Sequence, residues 1–128
     1  MTPALEEARR LLRLARRDQA TFNLLVPLDQ APMAALGFHA QQTVEKSLKS
    51  VCTLRGLEVR RTHDLAALAQ SLADDGCVLP LNIEDLRALN PFAVEYRYDD
   101  ELVSALTRDA LQTTVATIIR WAGHCVDS

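Results

Sequence analysis

Three long stretches of the sequence repeat apolar residues every three or four positions, and this spacing strongly constrains the fold. They run from about residue 3 to 26, from 32 to 55 and from 100 to 125. Apolar residues at this interval lie on one face of an α-helix. The composition agrees, because 21 Leu and 18 Ala far outnumber the 12 Val and Ile together, which favours helix over strand. The sequence therefore predicts an all-α fold.

Turn residues divide these stretches and predict the connections. Pro27 begins a break after the first helix, and Gly56 stands where a glycine would end the second. Thr62 is the expected N-cap of a shorter helix that ends near residue 75. Asn82 is expected to open another short helix, which Asn90 and the proline after it interrupt. Short connections favour antiparallel neighbours, so we expect an up-and-down bundle of four to five helices, three of them long, forming a single domain over residues 1–128.

Several protein classes are disfavoured by the sequence. No apolar run in the sequence approaches the ~20 residues that span a membrane. The first 17 residues carry five arginines and two glutamates, unlike a secretory signal, so we expect a cytoplasmic protein. Cys52, Cys77 and Cys125 are odd in number and contain no C-x-x-C pair, which indicates neither a disulfide framework nor a zinc site. We expect small buried thiols, no metal and no cofactor.

The net charge of −3 hides an asymmetry between the two halves of the chain. Residues 1–61 carry a net charge of +4, and residues 62–128 carry −7. The basic residues gather at positions 9–17 and 46–61, which could form a phosphate-facing surface. A solvated helix face would explain the first of these groups equally well.

One polar stripe on the second helix is the most informative feature of the sequence. His39, Gln42, Lys46 and Lys49 are three or four positions apart and so share one side of the helix, with Glu45 beside them. An imidazole, an amide and two ammonium groups suit a phosphate-bearing ligand, such as a nucleotide or an RNA backbone. The alternative is a structural rim with a Glu45–Lys49 pair and a hydrogen-bonded histidine.

Three smaller clusters are further candidates. Residues 60–64 precede a helix N-terminus, where Arg61 and His63 could help to bind an anion, or Asp64 could simply cap the helix. Residues 95–99 combine two tyrosines with Arg97 and could serve as structural packing. Near the end of the chain, Arg120 and His124 are four positions apart and share a helix face.

Together these segments resemble the HEPN (higher eukaryotes and prokaryotes nucleotide-binding) domain family. The resemblance rests on residues 38–50, Gly56, residues 62–65 and residues 93–98 in that order, and it extends over essentially the whole chain. It implies a bundle of four or five helices that commonly dimerises, and a separately encoded minimal nucleotidyltransferase as partner. It also implies a set of cleft-lining or fold-defining residues: His39, Gln42, Glu45, Lys46, Lys49, His63, Asp64, Arg97 and Tyr98.

Family members that cleave RNA carry an arginine, four to six residues and then a histidine. Here three residues separate Arg120 from His124, and seven separate Arg55 from His63, so neither pair fits. The resemblance therefore implies a homodimeric module, non-catalytic or weakly catalytic, that binds a nucleotide, RNA or a nucleotidyltransferase. The alternative is a metal-independent ribonuclease toxin of a toxin–antitoxin pair. A third is the helical subunit of a two-chain nucleotidyltransferase whose partner supplies the metal-binding carboxylates.

Overall fold

The computed structural model describes residues 2–59, 61–93 and 106–127, which contain α-helices and no strand. The helices are α1 (Pro3–Leu25), α2 (Met33–Leu54), α3 (Leu65–Asp74), α4 (Ile83–Arg87), a 3-10 helix (Asn90–Ala93) and α5 (Arg108–Asp127). The predicted all-α bundle with three long helices is confirmed. None of the described helices is long and apolar enough to cross a membrane. That residues 1–128 form one domain stays a prediction.

Helices α1 and α2 begin and end within about one residue of the predicted bounds, because their end signals are local. The Thr2 hydroxyl accepts a hydrogen bond from the Leu5 amide at 3.1 Å and so caps α1. Gly56 follows α2 with a φ of +74°, a left-handed conformation that glycine adopts without strain.

The predicted start of α3 was wrong by two residues. Asp64, rather than Thr62, is the N-cap of this helix. The Asp64 carboxylate accepts hydrogen bonds from the amides of Ala66 and Ala67, at 3.1 Å and 3.3 Å. The Thr62 hydroxyl accepts from the Asp64 amide at 3.0 Å, so it supports the capping residue instead.

The last helix also starts later than predicted, at Arg108 instead of near residue 100. The Thr107 hydroxyl accepts a hydrogen bond from the Ala110 amide at 3.0 Å, which is how a helix N-terminus is capped. The acidic residues 99–101, which were expected to start this helix, lie outside the described residues.

Helix α2 is the centre of the bundle, since it packs against α1, α3, α5 and the 3-10 helix. Its apolar side, from Leu36 to Val51, is part of the main core. It also buries five polar residues, which are Gln41, Thr43, Glu45, Ser47 and Ser50. Burying polar groups is costly unless they find hydrogen-bond partners; four of these five residues have one, and the Ser47 hydroxyl has none among the described residues. The Ser50 hydroxyl, for example, donates to the Ala8 carbonyl of α1 at 2.6 Å.

A glycine allows the 3-10 helix to pack directly on α2. A Cβ atom added to Gly37 would lie 2.2 Å from Cδ1 of Phe92. Phe92 is only 4% exposed, so its ring fills the space that any other side chain at position 37 would need. This contact holds the 3-10 helix and its Asn90 close to α2.

Arg108 joins the start of α5 to the connection between α1 and α2. Its guanidinium donates to the carbonyls of Val26 (2.8 Å), Asp29 (3.2 Å) and Ala31 (2.8 Å). A guanidinium presents five donors in a rigid fork, so one side chain can bind several carbonyls that would otherwise face water.

Candidate functional sites on helix α2 and between helices α1 and α5

A carboxylate from α1 binds two residues of the predicted polar stripe. Nδ1 of His39 lies 3.1 Å from Oδ1 of Asp18, and the ammonium of Lys46 donates to Oδ2 at 2.5 Å. The Asp18 side chain is only 14% exposed. His39 and Lys46 were predicted from the sequence, whereas Asp18 was not. The available signal was that Asp18 is the one acidic residue that directly follows the arginine-rich segment of α1.

A second carboxylate, on α2 itself, gathers the rest of the stripe and one loop residue. Glu45 accepts hydrogen bonds from Lys49 Nζ at 3.1 Å, His63 Nδ1 at 2.8 Å and Gln41 Nε2 at 3.0 Å. Gln42 joins indirectly, because its amide donates to Oε1 of Gln41 at 2.7 Å. The side chain of Glu45 is 7% exposed, whereas that of His63 is 66% exposed. The fully buried Gln41 was not among the predicted site residues.

These contacts decide the ionisation of Glu45. Burial raises the pKa of its carboxyl group, but the hydrogen bonds from Gln41, His63 and Lys49 more than offset this, and the net pKa lies below its ordinary value. Glu45 is therefore a carboxylate at neutral pH. Since a carboxylate only accepts hydrogen bonds, His63 must carry its proton on Nδ1 and present Nε2 to the surface.

The loop residue Asp64 caps α3, as the alternative interpretation of residues 60–64 expected. Its carboxylate also accepts from Nδ2 of Asn90 at 2.9 Å, and Oδ1 of Asn90 accepts from the Leu65 amide at 2.9 Å. The first amides of α3, which an anion would need, thus already have partners. The two remaining predicted site residues, Arg97 and Tyr98, lie outside the described residues.

Arg120 and His124, the candidates near the end of the chain, line one depression between α1 and α5. Its volume is about 360 Å³, and its lining residues are Arg16, Ile119, Arg120, Gly123, His124 and Asp127. The Arg16 guanidinium donates to Asp127 at 3.0 Å, which brings it from α1 to the depression. A Cβ on Gly123 would lie 3.2 Å from Nη2 of Arg16, so glycine leaves room for the guanidinium.

The hydrogen-bond networks of Asp18 and Glu45 are the α2 networks. The Asp18 network and the depression between α1 and α5 lie on different sides of α1. Asp18 and Arg16 are two residues apart, which is about 200° around a helix. These candidates were separate clusters in the sequence, and the fold keeps them apart. In the described ranges, no group of three or more His, Cys, Asp or Glu residues is arranged to hold a metal ion.

Comparisons with known proteins agree with this architecture. The crystal structure of the protein TT1696 from Thermus thermophilus is similar, with a TM-score of 0.69, 24% sequence identity, and coverage of 94% of this chain and 96% of that chain. This likeness concerns the fold alone. No curated protein matches the chain. A model of the HEPN domain matches residues 8–123. Because this match includes most of the sequence, the protein belongs to the HEPN domain family.

Proposed function

We propose that the protein is a non-catalytic HEPN module that binds a phosphate-bearing ligand, either a nucleotide or RNA, in the depression between α1 and α5. We further propose that it acts with a separately encoded minimal nucleotidyltransferase. The observation that carries the ligand proposal is the balance of charge, which differs between this depression and the two α2 networks.

The depression has an excess of positive charge. Arg16 is paired with Asp127, but Arg120 and His124 have no ionic partner among the residues that the structure describes. One carboxylate thus faces two guanidinium groups and an imidazole. Guanidinium groups bind phosphate through two parallel hydrogen bonds, and such charge-assisted bonds are stronger than neutral ones.

The α2 networks, by contrast, hold their positive charges on their own carboxylates. Lys46 is bound to Asp18, and Lys49 is bound to Glu45. A phosphate group placed against these lysines would meet two carboxylates, and like charges repel strongly in a partly buried site. This supports a structural role for the stripe, which links α1, α2 and the loop before α3.

Calorimetric titration with ATP, GTP and a short RNA tests the ligand proposal. We expect Arg120→Ala to weaken binding by about tenfold or more, since a charge-assisted hydrogen bond contributes roughly 1.5–3 kcal/mol. The control is Arg87→Ala, which removes the same charge from the surface of α4, where Arg87 pairs with Glu84. Failure of all three ligands to bind, or equal losses in the two variants, would overturn the proposal.

Metal-independent RNA cleavage is a second candidate function because Arg120 and His124 line the same depression. The arginine would hold the phosphate, and the histidine would transfer a proton during attack by the 2′-hydroxyl. Cleavage of an end-labelled RNA should then depend on His124. It should depend much less on His39, whose ring lies against Asp18 and is largely buried. If His124→Ala and His39→Ala both cleave as well as the parent, this mechanism is wrong.

The proposed partners require a separate test. We propose a homodimer and a complex with the nucleotidyltransferase, as the family resemblance implies. Light scattering after gel filtration measures the mass of the protein alone, and co-expression with a nucleotidyltransferase from a neighbouring gene measures the complex. A monomer that does not co-purify with such a partner would overturn the proposed homodimer and complex. The proposed binding of a phosphate-bearing ligand would not be affected.

A further inference from the structure

The three cysteines are far apart in the sequence but belong to one region of the fold. Cys52 is buried in the main core, and Cys77 and Cys125 pack at its edge, partly exposed. They come from the end of α2, the loop between α3 and α4, and the end of α5. Nothing in the proposed function uses these thiols.

Two contacts hold these three segments together. The indole of Trp121 donates to the carbonyl of Val78 at 3.2 Å. Val78 directly follows Cys77, and Trp121 lies one helical turn before Cys125, on the same side of α5. The hydrogen bond therefore sets the side of α5 that carries Cys125 against the loop that carries Cys77.

The other contact holds the same loop to α2. The guanidinium of Arg55 donates to the side chain and to the backbone carbonyl of Asp75, both at 2.8 Å. Asp75 lies two residues before Cys77, and Arg55 lies three residues after Cys52. Both ends of the loop segment from 75 to 78 are thus fixed, with Cys77 between them.

The thiols also influence one another's pKa values. Burial raises the pKa of Cys52 to about 11, with a smaller contribution from the neighbouring Cys77. Burial likewise raises the pKa of Cys125, again with a contribution from Cys77. Cys77 therefore lies in the loop that the hydrogen bonds of Trp121 and Arg55 hold against the segments of both other cysteines. Cys52 is only 1% exposed, which shields it from a dissolved oxidant.

We propose that Cys77 and Cys125 form a modification site, at which a peroxide converts the two thiols reversibly into a disulfide. The thiolate of Cys77 attacks one oxygen of hydrogen peroxide, the O–O bond breaks, and water leaves after proton transfer, which produces a sulfenic acid. The sulfur of Cys125 then attacks the sulfur of Cys77, and a second water leaves with the thiol proton. The sulfur pair loses two electrons, and one peroxide gains them. A thiol reductant restores both cysteines.

Such a bond would tie the end of α5, one residue from His124, to the loop between α3 and α4. Because it closes a long loop in the unfolded chain, it should stabilise the folded state against unfolding. The proposal concerns the protein alone and does not depend on the ligand or the partner.

Peptide mapping of the protein gives a direct test, because trypsin places each cysteine on a different peptide. These peptides are residues 50–55, 62–87 and 121–128. After mild treatment with hydrogen peroxide, we expect the second and third peptides to be joined, with a mass about 2 Da below their sum. Dithiothreitol should separate them. The Tm of the oxidised protein should also be higher than that of the reduced protein by about 5 °C or more.

Two variants keep the test specific. Cys52→Ser should retain the cross-link, and Cys77→Ser should abolish it, with circular dichroism confirming that both variants are folded. A cross-link between residues 50–55 and 62–87, a link only between two molecules, or unlinked peptides after excess peroxide would each overturn the proposal. None of these results would bear on the binding of phosphate ligands.

Discussion

Replacing Gly37 with alanine should destabilise the protein, although alanine favours helices. The new Cβ would lie 2.2 Å from Cδ1 of Phe92 and 2.3 Å from Cε1, whereas carbon atoms in contact are about 3.5–4.0 Å apart. The ring would have to retreat by more than about 1 Å, and its surroundings are a closely packed core. We therefore expect the ring to leave its site.

The magnitude follows from two opposing effects. Removing a buried phenylalanine ring from a core costs about 3–5 kcal/mol, and replacing glycine by alanine within a helix contributes about 1 kcal/mol of stability. The expected net loss for Gly37→Ala is about 2–4 kcal/mol. In a domain of this size, that corresponds to a fall in Tm of roughly 6–16 °C. Urea denaturation followed by circular dichroism measures the loss at constant temperature.

A double-mutant cycle separates the clash from a general sensitivity of position 37. Phe92→Ala should itself lose about 3–5 kcal/mol, because it leaves a cavity. When Gly37→Ala is added to that variant, the clash is absent, so the second change should be neutral or stabilising by up to about 1 kcal/mol. If Gly37→Ala alone leaves the parent as stable as before, the packing argument is refuted.

Three further substitutions test the polar interior and the Arg108 contact. Glu45→Gln should lower the free energy of unfolding by about 2 kcal/mol at pH 7. Because the pKa of Glu45 is depressed in the folded protein, this loss should persist above the ordinary pKa of 4.5 and shrink as the pH falls through the folded pKa, which urea denaturation at several pH values would measure. Ser47→Ala should gain about 0.5–1 kcal/mol, since its buried hydroxyl has no hydrogen-bond partner among the described residues; a lower urea midpoint would contradict this. Arg108→Ala should lose about 2–3 kcal/mol and Arg108→Lys less, and equal melts for Arg108→Ala and the parent would rule out a stabilising role.

The helices could largely be predicted from the sequence because their signals are local. Apolar spacing, Pro27 and Gly56 act within a few residues, and the resulting bounds of α1 and α2 are correct. The start of α5 was placed too early, since the apolar spacing continues before residue 108 and gave no sign of the cap at Thr107. At the start of α3, the sequence offers two capping residues, Thr62 and Asp64, two positions apart, and only the backbone geometry selects Asp64.

The candidate sites could be predicted only in part. The polar stripe of α2 was visible from spacing, but its partner Asp18 was not, because spacing does not reveal how one helix is rotated against another. Whether Lys46 and Lys49 are available to a ligand depends on such partners. The need for glycine at position 37 was likewise invisible, since it arises from Phe92, which is distant in sequence.

The contact of Arg108 with the connection between α1 and α2 has a consequence for the order of folding. Helices α1 and α2 are neighbours in sequence and share the largest interface of the bundle, so they can pair early at a low entropic cost. The bonds of Arg108 join residues about 80 positions apart and can form only when α5 docks. Amide hydrogens of α1 and α2 should therefore be protected from exchange earlier during refolding than those of α5.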